Sequence, residues 1–550
     1  FNQNPCNSIL SLYLSAFHFF VVTLQRKSQN QKRMKQNIFL TKLLPYRNHI
    51  LYFLICWFLL GLYYSDVLYI AQQNSFFTTE GILMKFVTDH YPYGYLWWLG
   101  RAALQLFYYP VIGSAVTALM FTLISGLFAY VFRLKGKMIL LQFLPTTVWL
   151  GYIFYQGYDN YYQAETGKIL GIPQCILIIL VLQSLFMRTF SKKPILSFFR
   201  TEENNRKQSI WESVILVLIP CLLVAWNETY RPYVRPTAHM QKALQKEDWE
   251  EMKETAKECG VSARPIAAYY AIALLQTGQI TQSLFDLEYN YADLHLHDRN
   301  NDKDFGTAYY EADGNFYAGL TNTAYRNAME RLTMDGPSAL ILKILTESAL
   351  LNGETEVCKK YLDILKCLPF EGAFVEHIEM FLDDPTLIEK NQRYANILKL
   401  RPVNDSFETL YREPLFLGYN IALLQGRSLD ALQASLAACL YSKLMPDFLV
   451  RTEPLVNTSP LPQNVQDALI MESYKNNRIE QVFQFDAFTK QKYALFMQLA
   501  GPYKQNREEG AQKLKEQFLG FYPYYYHFGN VKAEAAPENE QKKQTEQRVN

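Results

Sequence analysis

Asp66, Glu80 and Asp89 are the carboxylates whose placement could do chemistry in the first half of this 550-residue chain. Asp66 follows Leu62-Tyr63-Tyr64-Ser65 at the end of a long apolar stretch. An acid at membrane depth is a functional candidate by default, because burying its charge in hydrocarbon is costly. Set about a turn from the surface, it can equally face water. A carboxylate there is suited to holding a divalent ion or to taking a proton from a hydroxyl. Glu80 and Asp89 lie in the segment that follows.

A second cluster is His295-Leu296-His297-Asp298-Arg299-Asn300-Asn301-Asp302. Asp298, Asn300 and Asp302 alternate as calcium-loop ligands do, but the sixth position is Lys303 instead of Gly and the twelfth is Tyr309 instead of Glu. His295 and His297, with Asp298, are metal-ligand types, yet no third ligand is fixed by spacing. A solvated loop between helices is the plainer reading. No nucleophile elbow, phosphate-cradling glycine loop or paired histidine on a helix occurs, and no cofactor is expected.

The elements that must position these residues fall into two halves. Up to about residue 226 there are long uncharged stretches, and afterwards charges come every few residues. Five stretches are long enough to cross about 30 Å of hydrocarbon as helices: Ile50–Ala71, Leu106–Phe132, Met138–Tyr155, Ile169–Met187 and Ile210–Trp226. Residues 1–48 form a basic segment in which 8–24 is a sixth span or none, and Met34-Lys35-Gln36-Asn37 reads as a start. Residues 49–226 are thus expected to be a polytopic transmembrane bundle.

Lys and Arg crowd 26–47, 133–137 and 188–207, and are scarce or absent in 72–105 and 157–166. Basic loops mark the cytoplasmic side. Everything after Trp226 is therefore expected outside, which is the periplasm in a bacterium with two membranes. Tyr91-Pro92-Tyr93-Gly94-Tyr95-Leu96-Trp97-Trp98 reads as an interfacial aromatic belt, or as a re-entrant segment. The long spans carry almost no charge, which speaks against an ion-coupled transporter.

Residues 227–236, with Pro232 and Pro236, predict an extended connector. Beyond it, Ala271–Ile280, Glu347–Glu354 and Ile421–Arg427 each read as an apolar helix end, a glycine able to take positive φ, then an amphipathic helix. Asn477 is a fourth candidate for that turn, and Asp383-Asp384-Pro385 an intervening one. The glycine spacing is near twice the repeat length of tetratricopeptide proteins. Residues 237–530 are expected to be an external helical-repeat domain, of which about 237–490 resembles a degenerate tetratricopeptide-like α-solenoid, with Ala271, Ala349 and Ala422 where helices approach closely. That resemblance implies a concave surface binding a protein or peptide.

The fold class expected is all-α: a membrane bundle followed by an irregular solenoid. Phe521–Phe528 should pack on the last helices, and 531–550 is expected to be disordered. Cys358 and Cys367 leave a disulfide open. A net charge of only +2 argues against nucleic acid.

The whole layout resembles a family of multi-pass inner-membrane proteins of Gram-negative bacteria with an external helical-repeat tail, through Tyr63-Tyr64-Ser65-Asp66 and Gly100–Pro110. The resemblance implies the bacterial inner membrane but no activity. Weaker is the similarity to membrane glycosyltransferases using lipid-linked sugars, which carry an acid in the first external loop; Asp66, Glu80 and Asp89 match it. The leading expectation is a membrane-anchored scaffold whose partners are the bilayer and an envelope protein or peptide. The alternatives are the glycosyltransferase and a transporter component.

Overall fold

The computed structural model describes residues 46–90, 94–134, 136–156, 163–189, 210–259, 263–289, 307–402 and 428–531. His295, His297, Asp298, the apolar stretch 8–24, Ala422–Gly426 and the tail after Val531 lie outside the described residues. Among those described there are 26 α-helices and no strand. The chain divides into two compact units, residues 1–235 and 236–550.

The first unit begins with α1 (Arg47–Phe58), a π-helical turn (Leu59–Tyr63), α2 (Ser65–Gln73), α3 (Gly81–His90) and α4 (Gly94–Leu104). It continues through α5 (Pro110–Val131), α6 (Leu144–Gln156), α7 (Gln163–Thr189) and α8 (Ile210–Tyr230). Four helices are long and apolar enough to cross a membrane: Pro110–Val131, Met138–Gln156, Thr166–Arg188 and Trp211–Tyr230. The expected span Ile50–Ala71 is not one straight helix. Arg47–Tyr63 and Ser65–Gln73 meet at 67°. The reason is local: a π turn misplaces the backbone ladder, and Ser65-Asp66 then starts a new helix with an acid in its first turn. At Gly61 the chain touches α5, where an added Cβ would lie 2.5 Å from the Ser114 hydroxyl.

Polar contacts sort the helix ends into two layers. At one end Asn48 of α1 donates to Glu212 of α8 at 3.2 Å. At the other end Asn227 of α8 donates to the hydroxyl of Tyr63 at 3.0 Å. So α1 and α8 run the same way. Between the layers Tyr52 donates to Thr146 at 2.8 Å, and Ser125 of α5 meets the same Thr146 at 3.0 Å. Gly61 on Ser114 and Tyr52 beside Ser125 make α5 antiparallel to α1. On the long apolar helices Leu119, Val148, Leu182, Phe186 and Leu222 are exposed.

The segment 72–105, expected to be a loop, is largely helical. Trp98 of α4 donates to the Thr78 carbonyl at 2.9 Å, while Tyr91–Tyr93 lie outside the described residues. The prolines of 227–236 predict an extended connector, but α8 runs on to Tyr230 and the next helix starts at Val234. Pro236 falls in that helix's first turn, where its missing N–H costs nothing.

The second unit is a succession of short helices: α9 (Val234–Gln245), α10 (Trp249–Glu258), α11 (Arg264–Gln276), α12 (Ile280–Ser283), α13 (Thr307–Tyr317), α14 (Thr321–Asp335), α15 (Ala339–Asn352), α16 (Thr355–Leu365), α17 (Gly372–Asp383), α18 (Thr386–Lys390) and α19 (Gln392–Leu400). After the gap come α20 (Leu429–Tyr441), α21 (Met445–Arg451), α22 (Gln463–Ser473), α23 (Arg478–Val482), α24 (Ala487–Ala500), α25 (Arg507–Phe518) and α26 (Tyr522–Phe528). Side chains start many of them. Asp248, Ser338, Asn391, Ser428, Asp486 and Asn506 each accept from a backbone N–H of the first turn.

The predicted turn glycines Gly278 and Gly353 have φ of +68° and +77°. Each closes a helix by the paired bonds of a Schellman turn, Gln279 N to Leu274 O and Glu354 N to Ala349 O. Asn477 stays right-handed with φ −58° and serves no such turn. Asp384 does make the expected turn, accepting from Thr386 N at 3.1 Å. α11 is buried from Pro265 to Gln276 and α22 from Asn464 to Ser473, so the region is solenoid-like with enclosed central helices. The aromatic α26 reaches beyond the last helices: Tyr525 packs on Phe285 at 4.5 Å and Tyr289 at 5.6 Å between ring centres. Cys358 and Cys367 are both free thiols.

Candidate functional site

In the first unit, function-bearing polarity gathers where the helix break is. The Tyr63 hydroxyl donates to Glu228 at 2.7 Å. Arg235 donates to the same carboxylate at 2.6 Å and, through Nε, to the Tyr63 carbonyl at 2.8 Å. Its guanidinium lies 4.2 Å from the centre of the Tyr63 ring. One arginine thus satisfies a carbonyl that the break frees, a carboxylate and a ring face at once. Arg231 adds a bond to the Gln156 carbonyl at 3.0 Å. The bend of the first apolar helix is tied to the ends of α6 and α8.

Next to the bend, α2 and α4 enclose amides. Gln72 donates to Gln105 at 2.8 Å, Gln73 to Gln72 at 2.8 Å, and Gln105 to the Arg101 carbonyl at 3.4 Å. Arg101 itself is 0% exposed, the largest fully buried side chain described. Glycines permit this enclosure. A Cβ on Gly100 would stand 2.0 Å from the Gly167 carbonyl and 2.7 Å from Gly171 N, so α4 and α7 touch backbone to backbone.

The second unit has its own buried charge cluster. Arg393 of α19 forks onto Glu347 of α15, with Nη1 and Nη2 each donating to a carboxylate oxygen, the second at 3.0 Å. Tyr394 donates to Glu347 at 2.8 Å and Arg393 Nε donates to Tyr317 at 3.0 Å. Nearby Tyr269 of α11 donates to Asp313 of α13 at 2.8 Å. Burial pushes the Asp313 carboxyl up to about 7, against the Tyr269 bond and the Arg393 charge, which pull it down. Asp313 keeps some residue exposure, so it is the carboxyl and not the whole residue that is enclosed. Four helices meet at this cluster, which makes it a brace for the unit.

The acids singled out from sequence occupy three different settings. Asp66 is half-buried in the first turn of α2, with the Ser65 hydroxyl 3.4 Å away. Glu80 is exposed and accepts from Leu83 N at 2.8 Å, which makes it the cap of α3. Asp89 is exposed in the last turn of α3. Among the described residues no three His, Cys, Asp or Glu side chains gather in a metal-binding group. Sequence reasoning missed Arg101, counted as one of the rare cations of a loop, took Glu347 only as part of an apolar helix end, and missed Arg393 altogether. The available signal for Arg101 was its place amid Gly100 and Ala102-Ala103-Leu104; 46 residues separate the second pair, and nothing local joins them.

A protein-family model described as a family of unknown function, DUF6057, matches residues 149–529. That stretch takes in α7, α8 and all of the second unit described up to α26. No curated protein and no solved structure matches the chain.

Proposed function

The chain belongs to the DUF6057 family of unknown function, and we propose that it is a membrane-anchored scaffold of the bacterial envelope. In this reading the apolar helices hold a tetratricopeptide-like unit that binds an envelope protein or peptide. The observation that carries it is the Tyr63–Glu228–Arg235 clamp. It fixes the end of the last apolar helix to the bend of the first, in the residues immediately before the second unit begins. A free tether would not need such a brace. The turns at Gly278 and Gly353, with buried Ala271 and Ala349 on the preceding helices, support the repeat-like character.

The binding role is tested with photo-crosslinking residues placed along α14, α16 and α17 in the full chain, in its native membrane. One recurrent protein or peptide adduct is expected. Adducts to lipid alone, or none at any position, would sink the scaffold. The basic loops support an orientation with the second unit outside the cytoplasm, in the periplasm of a bacterium with two membranes. Alkaline phosphatase fused after Gln163 or Asn227 should be active, and fused after Lys137 or Lys193 inactive; the reverse result overturns that orientation.

A second reading, a glycosyltransferase-like enzyme on lipid-linked sugars, draws on Asp66 sharing α2 with Gln72 beside the enclosed Arg101. An acid here could hold a metal ion on the phosphates or deprotonate an acceptor hydroxyl. Asp66→Asn should then abolish activity and reproduce the change in envelope glycans that deletion causes, with abundance unaltered. A deletion that leaves every glycan intact removes this reading.

A further inference from the structure

Lys443 ends α20 in a conformation that usually belongs to glycine. Its φ is +56°, and the turn is closed by Lys443 N to Leu440 O at 3.1 Å and Leu444 N to Cys439 O at 2.8 Å. This is the same Schellman turn that Gly278 and Gly353 make. A side chain in the left-handed region is strained, and such strain persists where the surroundings over-determine it. Arg133 and Glu247 also take left-handed φ, but both are exposed. Lys443 is only 9% exposed.

Burial of a lysine calls for a counter-charge. What Lys443 has instead is the Gly529 carbonyl at 3.4 Å and the faces of Tyr525 and Tyr526, 5.0 and 5.9 Å from its Nζ. Other cations converge on the same spot from separate inter-helix turns. Arg507, at the start of α25, also reaches the Gly529 carbonyl at 3.4 Å. Lys475, after α22, lies 5.7 Å from the centre of the Tyr526 ring. Lys504, before α25, joins Lys475, Lys443 and Arg507 in holding His527 below its usual value, after the effect of burial. Lys475 has Glu472 at 2.6 Å. Lys443, Lys504 and Arg507 have no carboxylate within ion-pair distance among the described residues. Cations just past the ends of α20 and α22 do offset the helix dipoles, which accounts for one charge at each end. It does not account for a buried lysine, nor for Arg507, which sits at the start of a helix where a cation is unfavourable.

We infer that Lys443, Arg507, Lys504 and Lys475, over the Tyr525–Tyr526 face of α26, form a binding site for a phosphate group. A phosphate dianion answers three unmatched cations better than a single carboxylate does, and its several oxygens can take an ammonium and a guanidinium together. The buried Lys443 supplies the base of the site, and exposed Arg507 and Lys504 supply its mouth. Enclosure and the Arg507 charge hold the Lys443 ammonium down to about 8. A bound dianion would restore it. The site does not depend on the scaffold reading, since it would stand whether the unit serves a partner or a substrate.

The test is calorimetric titration of the full chain in detergent with pyrophosphate and with inorganic phosphate, at low ionic strength. Saturable binding is expected. Succinate, a dicarboxylate, should bind at least about tenfold more weakly. Lys443→Met keeps the aliphatic stem over the tyrosines and should weaken pyrophosphate at least about tenfold. Arg507→Gln, on an exposed side chain that leaves the fold alone, should weaken it severalfold. Lys490→Gln, whose lysine pairs with Glu480, should change nothing. The inference fails if wild type binds no phosphate or if succinate matches pyrophosphate. It also fails if Arg507→Gln and a folded Lys443→Met both bind as wild type does.

Discussion

In the first unit the buried hydroxyls of Thr117, Thr122 and Ser125 donate back to carbonyls four residues earlier, at 2.8, 2.8 and 2.9 Å. In the second unit the buried polar groups reach across helices, as Arg393 reaches Glu347, Tyr317 and the ring of Phe316. The helix starts differ too. Side chains cap six helices of the second unit, while α1, α2 and α5 of the first begin without a capping side chain. The difference is the one that two solvents would produce, given four helices in the first unit long and apolar enough to cross a membrane. In hydrocarbon a polar side chain has no outside partner, so the safest partner is its own helix. In water the surface tolerates polarity, and cross-helix networks can brace the stack. The first unit has cross-helix bonds as well, Asn48 to Glu212 and both Tyr52 and Ser125 to Thr146, and its densest polar cluster, at Tyr63, Gln72 and Arg101, lies beside the helix break.

The comparison is broken most severely by removing one half of the second unit's brace. Glu347→Ala leaves the enclosed guanidinium of Arg393 without its counter-ion. A buried pair cut on one side costs about 3–5 kcal/mol, and the side chain of Glu347 is only 4% exposed. Thermal unfolding of the full chain should show the second unit melting first, with the first unit's transition unmoved. The double variant Glu347→Leu/Arg393→Leu should recover much of the loss. If the single variant melts as wild type does, the network is ornamental to the fold.

The first unit should break through contact distance, since α4 and α7 meet backbone to backbone at Gly100. Gly100→Ala drives a methyl into the Gly167 carbonyl. Overpacking of this kind costs about 1–3 kcal/mol. Protease access to the segment between α3 and α4 in detergent should rise, and hydrogen exchange in the second unit should not. Exchange rising equally in both units would mean that the two do not respond separately.

Much of this division was legible in advance. Charge segregation around residue 226 falls close to the division into two units, and an apolar run of the right length has few alternatives to a helix. Gly278 and Gly353 were legible because a left-handed turn has a local chemical requirement. The break at Tyr64 was not, although Ser65-Asp66 is a helix-start signal; an unbroken apolar run outweighed it. Pro232 and Pro236 misled in the opposite sense, since a proline one turn into a helix is as compatible with a start as with an extended stretch. Lys443 was beyond reach because nothing local marks it. Its glycine-like turn, its burial and its three distant cations are properties of the packed chain.

The smallest expected effect is a pH slope, and it sharpens the contrast in how buried charge is managed. Asp313 is held up to about 7 by burial, so between its unfolded value of 3.8 and about 7 the folded state keeps a proton that the unfolded state gives up. Its contribution to stability is therefore complete in acid and is lost as pH rises through that window. Asp467, also held up to about 7 by burial, has the same sign. His527 has the opposite sign, because burial lowers it and the unfolded state then binds the proton more readily below 6.5. The net slope of the wild type mixes all three, so the measurement is a difference. Asp313→Asn cannot titrate. From pH 5 to 7 its α11 and α13 amides should lose less protection against hydrogen exchange than those of the wild type, after correction for the intrinsic rate. Amides of α5 should show no difference at any pH, because Asp313 belongs to the other unit. Parallel curves for wild type and variant in α11 and α13 would mean that Asp313 is ionised in the folded chain. The brace would then hold a carboxylate, with the Tyr269 hydrogen bond and the Arg393 charge outweighing its enclosure.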